Sequence, residues 1–314
     1  MSLLCAFGRT ISNVTAVWVA KPEIAAALED LSDVTVDLYD GTGAPPGTID
    51  DVEFYVPVLF PAPSSLEIMA RMPRLQVVQL QTAGVDHARP YLPAGVTLCN
   101  ARGAHDAGTA EWIVGAIIAS RHEFPEFARA QQEGRWDYHQ TETLTDARVL
   151  IVGYGSIGAA LERRLEPFEV DIVRVARRAR AGVHAIGDLP GLLPDADVVV
   201  LLVPSTPETK GLADAEFLAR MKDGALLVNA ARGSVVDTPA LLAEAGRLRA
   251  ALDVTTPEPL PPEHPLWRAP GVFITPHVGG STPAATRRIA RLVRDQYGRY
   301  ASGAPLRNVI TGPY

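Results

Sequence analysis

Three polar residues in the second half of the sequence are suited to reducing a carbonyl group that lies beside a carboxylate. Arg232 lies in LLVNAARGSVVD, Glu258 in ALDVTTPEP and His277 in VFITPHVGGST. Histidine transfers protons near neutral pH, and a carboxylate beside it favours the imidazolium and fixes the ring. Arginine offers a planar fork to a carboxylate and polarises a carbonyl. The three residue types therefore predict an acid/base site for a 2-keto acid, without a metal.

Each of these residues, taken alone, also has an ordinary structural interpretation. One histidine among seven is more often structural than catalytic, an arginine beside a glycine can cap a helix, and a glutamate between prolines can be solvated. The three residues share one kind of position, since each follows an apolar run that is predicted to be a strand. This shared position favours a common ligand site. Ligands of open α/β sheets bind beyond the carboxyl ends of the strands.

A glycine-rich segment between a predicted strand and a predicted helix supplies the candidate hydride donor. Its sequence is Gly153-Tyr154-Gly155-Ser156-Ile157-Gly158, a G-x-G-x-x-G pattern. In this context the first glycine allows a tight turn, the second allows close approach of a pyrophosphate, and the third lets helix and strand pack. The helix start offers amide donors to phosphates. Residues 153 and 155–158 are therefore predicted to bind a dinucleotide; the alternative is a tight turn that holds nothing.

The second strand of this unit bears on the choice of dinucleotide. An acidic residue about 20 positions beyond the glycines normally binds the adenosine ribose, but that position falls near Ala176, where no carboxylate stands. Arg177 and Arg178 follow instead, flanked by Arg174 and Arg180. Guanidinium groups bind a 2′-phosphate with charge-assisted hydrogen bonds, so the sequence favours NADP over NAD. The alternative is a solvated basic loop.

Short apolar runs alternate with helical patterns along most of the chain. The run VVVLLV over 198–203 is typical of a strand buried on both faces. The predicted strands are Val14–Val19, Val34–Tyr39, Glu53–Leu59, Leu75–Leu80, Gly95–Cys99, Arg148–Val152, Asp171–Val175, Asp197–Val203, Ala225–Asn229, Ala250–Val254 and Val272–Thr275. The predicted helices are Pro22–Leu31, Ser64–Arg71, one long helix over Thr109–Arg129, and Ile157–Leu165. This alternation predicts an α/β fold with parallel sheets covered by helices.

Composition excludes several classes of protein. Of the 314 residues, 47% are apolar and 21% are charged, which excludes a disordered chain and a collagen-like fibre. The net charge of -7 makes a nucleic-acid partner unexpected. The sequence contains no run of about 18 uncharged apolar residues, so no membrane span is predicted. The polar residues near the N-terminus, together with Arg9, argue against a signal peptide. With only Cys5 and Cys99 present, a cytoplasmic location is predicted.

Several motifs together resemble the D-isomer-specific 2-hydroxyacid dehydrogenase family. They are VGYGSIG (152–158), VPSTPETKGL (203–212), LLVNAARGSVVD (226–237), ALDVTTPEPLPPEHPLW (251–267), ITPHVGGST (274–282), QTAGVDH (81–87) and PLRNVI (305–310). The resemblance implies that Arg232 binds the substrate carboxylate and carbonyl, that Glu258 supports the histidine, and that His277 is the acid/base. It also implies substrate contacts from the backbone of Ala83 and Gly84, and cofactor contacts from Pro204, Thr209 and Asp253.

The resemblance further implies two Rossmann-like lobes, with the nucleotide-binding lobe inserted into the substrate-binding lobe. The boundaries would place residues 1–98 and 286–314 in the substrate-binding domain and 99–285 in the dinucleotide-binding domain. The family is commonly dimeric through a helical arm that here includes Thr109–Trp136. Trp136 would then reach toward the neighbouring subunit's substrate pocket, or serve in plain interface or core packing.

For the substrate, the resemblance suggests glyoxylate or hydroxypyruvate, because the missing adenosine-site aspartate resembles the NADPH-using reductases of those acids. Two alternatives stay open on the sequence. One is oxidation of 3-phosphoglycerate with NAD, and the other is a non-catalytic, nucleotide-sensing protein like the corepressors of this fold. Turnover with a keto acid distinguishes an enzyme from a sensor.

Overall fold

The chain forms two compact units, each built on its own parallel sheet. The structure, a computed structural model, describes residues 14–311. Of these, residues 14–101 and 287–311 belong to the first unit and residues 102–286 to the second. Cys5 and Arg9 lie outside the described residues.

The first unit contains a five-stranded sheet in the order β2-β1-β3-β4-β5, with every pairing parallel. Its strands are β1 (Thr15–Val19), β2 (Val34–Leu38), β3 (Val52–Val56), β4 (Val77–Gln79) and β5 (Thr97–Cys99), and its first helices are α1 (Pro22–Ala26) and α2 (Pro63–Glu67). Both helices begin at a proline, whose fixed φ and missing N–H suit a first turn. Trp18 and Tyr55, both fully buried, lie at the centre of this unit's core.

The second unit contains a seven-stranded sheet in the order β12-β11-β10-β9-β6-β7-β8, again entirely parallel. Its strands are β6 (Arg148–Val152), β7 (Asp171–Ala176), β8 (His184–Ala185), β9 (Val198–Leu201), β10 (Leu226–Asn229), β11 (Arg249–Leu252) and β12 (Val272–Ile274). Its helices are α3 (Asp106–Arg121), α4 (Phe124–Gln132), α5 (Ser156–Leu165), α6 (Leu189–Leu192), α7 (Ala215–Arg220) and α8 (Thr238–Ala243). This is the doubly wound order, whose switch point lies between β6 and β9.

Both faces of the second sheet are buried. Leu150 and Val152 of β6 pack into one apolar cluster, whereas Val149 and Ile151 pack into a second cluster on the opposite face. Successive side chains of a strand point to opposite faces, so a strand covered on both sides has to be apolar throughout. The unbroken apolar runs of the sequence are explained by this burial, and the α/β fold with parallel sheets is confirmed.

The C-terminal helix α9 (Pro283–Ser302) belongs to the first unit from residue 287 onward. Gln296 on this helix is fully buried, and its amide donates to Gln79 Oε1 of β4 at 2.9 Å. Beyond the helix, Val309 forms an antiparallel bridge with Cys99 of β5. The C-terminal segment therefore completes the core of the unit in which the described chain begins.

The prediction of one helix over Thr109–Arg129 is wrong. Two helices, α3 and α4, are separated at Glu123, which has a left-handed backbone with φ 54°. The Glu123 carboxylate binds Arg249 Nη2 at 2.6 Å and His139 Nε2 at 2.9 Å. These partners hold a conformation that a non-glycine residue rarely adopts, and Arg249 is too distant in sequence to reveal itself in the helical pattern.

Smaller differences concern the ends of elements. The helix predicted over Pro22–Leu31 ends at Ala26, and the second predicted helix continues past Glu67 only as a 3₁₀ turn over Ile68–Arg71. The short strand β8 was not predicted. Trp136 is 93% exposed, so it is not a core residue of this chain. Among residues 14–311, no helix is both long and apolar enough to cross a membrane.

Candidate active site

The candidate residues of the second unit all follow strands at the carboxyl edge of its sheet. Arg232 follows β10, Asp253 and Glu258 follow β11, and His277 follows β12. Strands β10, β11 and β12 are consecutive neighbours in register, with Asn229 beside Leu252 and Leu252 beside Ile274. The loops that carry the acid/base candidates therefore leave the sheet side by side.

His277 and Glu258 are in direct contact. The Nδ1 atom of His277 lies 2.5 Å from Oε1 of Glu258, and the side chains are 27% and 40% exposed, respectively. A carboxylate at Nδ1 fixes the ring orientation and the tautomer, so that Nε2 is the ring atom suited to proton exchange. This is the geometry of an oriented general acid/base that solvent and substrate can reach.

A left-handed turn presents His277, and Asp253 holds that turn together. His277 has φ 55°, and its amide donates to the carbonyl of Asp253 at 2.8 Å. The Asp253 carboxylate, in a side chain that is almost fully buried, accepts hydrogen bonds from Thr275 Oγ1 (2.6 Å), Val278 N (2.9 Å) and Gly279 N (2.8 Å). Sequence reasoning assigned Asp253 to the cofactor and missed this network, because its partners lie more than 20 positions away.

We expect Asp253→Ala to lower the free energy of unfolding by about 2–3 kcal/mol, because the amides of the His277 turn lose their acceptor. Turnover should fall as well, since the turn no longer fixes the histidine. Thermal unfolding and kcat measure the two effects. Asp214→Ala is the matched control: its carboxylate accepts one bond, from Phe217 N at 2.9 Å, at the start of α7. If Asp253→Ala lowers kcat no more than this control does, the prediction that Asp253 holds the His277 turn for turnover is wrong.

Arg232 lies in a loop that Asn229 and Gly233 shape. The Asn229 side chain donates to the carbonyl of Arg232 at 2.9 Å and accepts from the amide of Ala231 at 3.1 Å. A Cβ atom on Gly233 would lie 1.9 Å from the carbonyl oxygen of Thr255, so only glycine fits there. This close approach brings the loop of Arg232 against the loop that carries Glu258.

The glycine segment after β6 has the shape that a pyrophosphate requires. Gly153 has φ 108°, and a Cβ there would lie 2.5 Å from the backbone of Leu202. A Cβ on Gly158 would lie 3.1 Å from the carbonyl of Gly153, so helix and strand pack closely here. In contrast, a Cβ on Gly155 would meet nothing within 4 Å, which leaves room for a ligand.

The first turn of α5 faces this open position. The helix begins at Ser156, directly after Gly155, and Ile157 follows; no side chain caps the helix. The amides of a first helical turn have no partner within the helix and attract anions. The residues present therefore fit a dinucleotide whose pyrophosphate lies beside Gly155.

Of the four arginines around the end of β7, two are directed at protein groups. Arg174 Nε donates to Glu162 Oε1 at 2.9 Å, and this hydrogen bond holds the pKa of the Glu162 carboxyl below its usual value against the effect of burial. Arg180 contacts Tyr154 of the glycine segment. Arg177 and Arg178 are exposed, and no hydrogen bond or ion pair is recorded for either among residues 14–311.

The loop after β9 contains Pro204 and Thr209. The Thr209 hydroxyl donates to the carbonyl of Pro204 at 2.5 Å and accepts from the amide of Thr206 at 2.9 Å, so this buried side chain closes its own loop. Hydrogen bonding by Thr206 is the main cause that lowers the pKa of Glu208 in this loop, and the charge of Arg177 adds to it. The loop after β9 and the arginine segment after β7 therefore lie within electrostatic range of each other.

Ala83 and Gly84 lie in the first unit, in the loop that follows β4. The Asn100 side chain donates to the carbonyl of Ala83 at 2.6 Å, and Thr82 Oγ1 donates to the carbonyl of Gly84 at 2.7 Å. Both carbonyls are thus held within their own unit, at the carboxyl edge of the first sheet. In the described part of the chain, no group of three or more His, Cys, Asp or Glu side chains could hold a metal ion.

Comparisons with known proteins identify the family to which the chain is similar. The family described as D-isomer specific 2-hydroxyacid dehydrogenase, NAD binding domain, matches residues 114–279. A glyoxylate reductase of Thermofilum pendens is 36% identical over 243 residues, which are 72% of this chain and 72% of that protein. A D-3-phosphoglycerate dehydrogenase of Archaeoglobus fulgidus is 30% identical over 79% of this chain, but the match spans only about half (49%) of that relative's length.

A solved structure extends the similarity to nearly the whole chain. The D-isomer specific 2-hydroxyacid dehydrogenase of Xanthobacter autotrophicus Py2, in complex with NADPH and MES, is 32% identical with a TM-score of 0.82. The alignment covers 95% of this chain and 98% of that one. Sequence, fold and the arrangement of the loops thus lead to the same group of proteins.

Proposed function

Since the chain belongs to the D-isomer specific 2-hydroxyacid dehydrogenase family, we propose that it reduces a small 2-keto acid to the D-2-hydroxy acid with NADPH. The observation that carries this proposal is the His277–Glu258 pair at 2.5 Å, on the sheet edge that also carries Arg232 and the glycine segment. In this proposal the second unit binds the dinucleotide, and the backbone of Ala83 and Gly84 remains a predicted substrate contact.

The chemistry that the reduced nicotinamide supplies when bound is hydride transfer to C2 of the keto acid. Arg232 binds the substrate carboxylate and polarises the adjacent carbonyl, because its planar guanidinium presents two parallel donors. His277 gives a proton from Nε2 to the carbonyl oxygen, which becomes the hydroxyl. Glu258 orients the ring through Nδ1. In the reverse direction the same histidine accepts the proton.

Glyoxylate and hydroxypyruvate are the proposed substrates. The similarity to a glyoxylate reductase over 72% of both chains supports this choice, and neither acid requires the additional cations that a phosphorylated substrate needs. A second candidate is oxidation of 3-phosphoglycerate with NAD, which the similarity to D-3-phosphoglycerate dehydrogenases supports over about half of their length. Glu258 and His277 serve either reaction.

The proposal is tested by the absorbance of the reduced nicotinamide during turnover. Glyoxylate, hydroxypyruvate, pyruvate and longer 2-keto acids are each supplied with NADPH and with NADH, and 3-phosphoglycerate is supplied with NAD. Oxidation of NADPH by glyoxylate or hydroxypyruvate at the highest kcat/KM is expected. Turnover of 3-phosphoglycerate alone would replace the proposed reaction by the second candidate. Dinucleotide binding without any turnover would indicate a sensor instead of an enzyme.

We expect the double substitution Arg177→Ser and Arg178→Ser to lower kcat/KM for NADPH by about 100-fold and to change that for NADH by less than about threefold. Each arginine removed is a charge-assisted partner of the 2′-phosphate, which NADH lacks. Arg163→Ser and Arg164→Ser on α5 form the control, because they remove the same charge from the neighbouring helix. Unchanged kcat/KM with both cofactors would show that Arg177 and Arg178 belong to a solvated loop only, and equal losses with both would show that they do not distinguish the 2′-phosphate.

A further inference from the structure

Arg180 connects two segments of the second unit that the proposed cofactor would contact separately. It lies in the turn between β7 and β8, yet its Nη2 atom donates to the carbonyl of Tyr154 at 2.7 Å. The guanidinium carbon also lies 5.7 Å from the centroid of the Tyr154 ring. Tyr154 is the residue between the first two glycines of the glycine segment, so one side chain binds both its backbone and its ring.

Both the backbone and the side chain of Tyr154 are held by hydrogen bonds. Its amide donates to the carbonyl of Val175 in β7 at 2.9 Å. Its hydroxyl donates to Glu162, a largely buried carboxylate that also binds Arg174. The Glu162 hydrogen bond raises the pKa of the Tyr154 hydroxyl, which therefore stays a donor. Arg180 thus rests on a residue that is anchored to α5 and to β7.

Arg180 also closes the segment that carries the two exposed arginines. Its amide donates to the carbonyl of Val183 at 3.0 Å and its carbonyl accepts from the amide of Val183 at 2.8 Å. Residues 177–179 therefore run between the end of β7 and an anchored turn. Within residues 14–311, neither Arg177 nor Arg178 forms a side-chain hydrogen bond or an ion pair, and Arg177 acts on Glu208 only through its charge. Without the Arg180 side chain the segment keeps these backbone bonds but loses its attachment to Tyr154. It then has more freedom, and binding a ligand there costs more conformational entropy.

We propose that Arg180 is a positioning residue for cofactor selection: through Tyr154 it holds Arg177 and Arg178 beside the glycine segment, so that 2′-phosphate and pyrophosphate are bound by one preorganised surface. This rests on the proposed function, because it takes a dinucleotide to occupy the glycine segment. The ligand chemistry is that of a dinucleotide with an additional phosphate monoester on its adenosine ribose.

The test is calorimetric titration of the full-length protein with NADPH and with NADH, which requires no turnover. We expect Arg180→Ala to weaken NADPH binding about tenfold and NADH binding less than about threefold. Arg220→Ala is the control, because Arg220 on α7 is comparably exposed, pairs with Glu216 and lies in the same unit. It should leave both dissociation constants unchanged.

A second variant separates positioning from simple charge. Tyr154→Leu keeps Arg180 and its charge but removes the ring on which the guanidinium rests, and it should also weaken NADPH selectively. If both residues act through one contact, the double variant of Arg180→Ala with Tyr154→Leu loses no more than the stronger single variant. Arg180→Lys keeps the charge without the planar fork, so its NADPH affinity should stay closer to that of Arg180→Ala than to that of the unaltered protein.

Three results overturn the inference. Equal weakening with both dinucleotides removes the link to the 2′-phosphate. Additive losses in the double variant remove the link between Arg180 and Tyr154, and full recovery with Arg180→Lys reduces the effect to charge. If the unaltered protein prefers NADPH and Arg180→Ala shows the same ratio of affinities for the two dinucleotides, this inference alone fails. If the unaltered protein binds neither dinucleotide, both the proposed function and this inference are wrong.

Discussion

Replacing His277 by alanine is expected to lower kcat by about 10³-fold, which is the usual contribution of a positioned general acid. The carbonyl oxygen of the substrate would have to take its proton from water, because Glu258 contacts only the Nδ1 side of the ring. The dissociation constant for NADPH should change by less than about twofold, since the glycine segment follows a different strand. Steady-state turnover and calorimetric titration measure these two quantities.

The backbone at His277 requires a second variant. Alanine adopts a φ of 55° less readily than asparagine, which is several-fold enriched at such positive φ angles among non-glycine residues. His277→Asn therefore keeps the turn while it removes the imidazole ring, and it should lose as much activity as His277→Ala. His184→Ala, at an exposed histidine of the same unit, is the control. Turnover by His277→Asn within about tenfold of the unaltered protein would exclude His277 as the acid.

The second large effect is expected at Arg232. Arg232→Ala should lower kcat/KM for the keto acid by about 10³-fold, because the substrate carboxylate loses a bidentate charged partner and its carbonyl loses polarisation. Most of the loss should appear as a higher KM, with a smaller decrease in kcat. The loop itself should persist, since Asn229 binds the backbone of residues 231 and 232 and not the guanidinium.

Arg232→Lys makes the second measurement more specific. Lysine keeps the positive charge but lacks the planar fork, so its kcat/KM should fall between those of the alanine variant and the unaltered protein. Calorimetric titration with NADPH should give the same affinity for all three proteins. If Arg232→Ala keeps kcat/KM within about twofold, the carboxylate is bound elsewhere and the proposed role is wrong.

The central strands of the second sheet could be predicted because burial on two faces demands apolar residues throughout. For example, VVVLLV marks β9 almost to the residue. The break between α3 and α4 could not be predicted, because it depends on Glu123 meeting Arg249 of β11, 126 residues further along the chain. Pro125, in the first turn of α4, is compatible with a helix start but does not show where α3 ends. The ion pair between Glu123 and Arg249 holds the left-handed residue that separates the two helices.

The candidate site shows the same division. Gly153, Gly155 and Gly158 are recognisable because their spacing reflects one local turn, in which the chain contacts itself at short range. The Asp253 carboxylate and the Arg180 guanidinium have no such signature. Their partners, Gly279 and Tyr154, are 26 positions away in each case, and only the closure of the sheet brings them together.

The location of the arginine segment has a consequence for how such a protein can diverge. Residues 177–180 are exposed and follow β7, whereas the strand itself is anchored by the apolar clusters on either side of the sheet. Mutations in this segment therefore act on a part of the protein that adds little to its stability. If this segment selects the cofactor as we propose, a lineage can change between NADPH and NADH here without compensating changes in the core. Glu258 and His277, in the loops after β11 and β12, need not change at all.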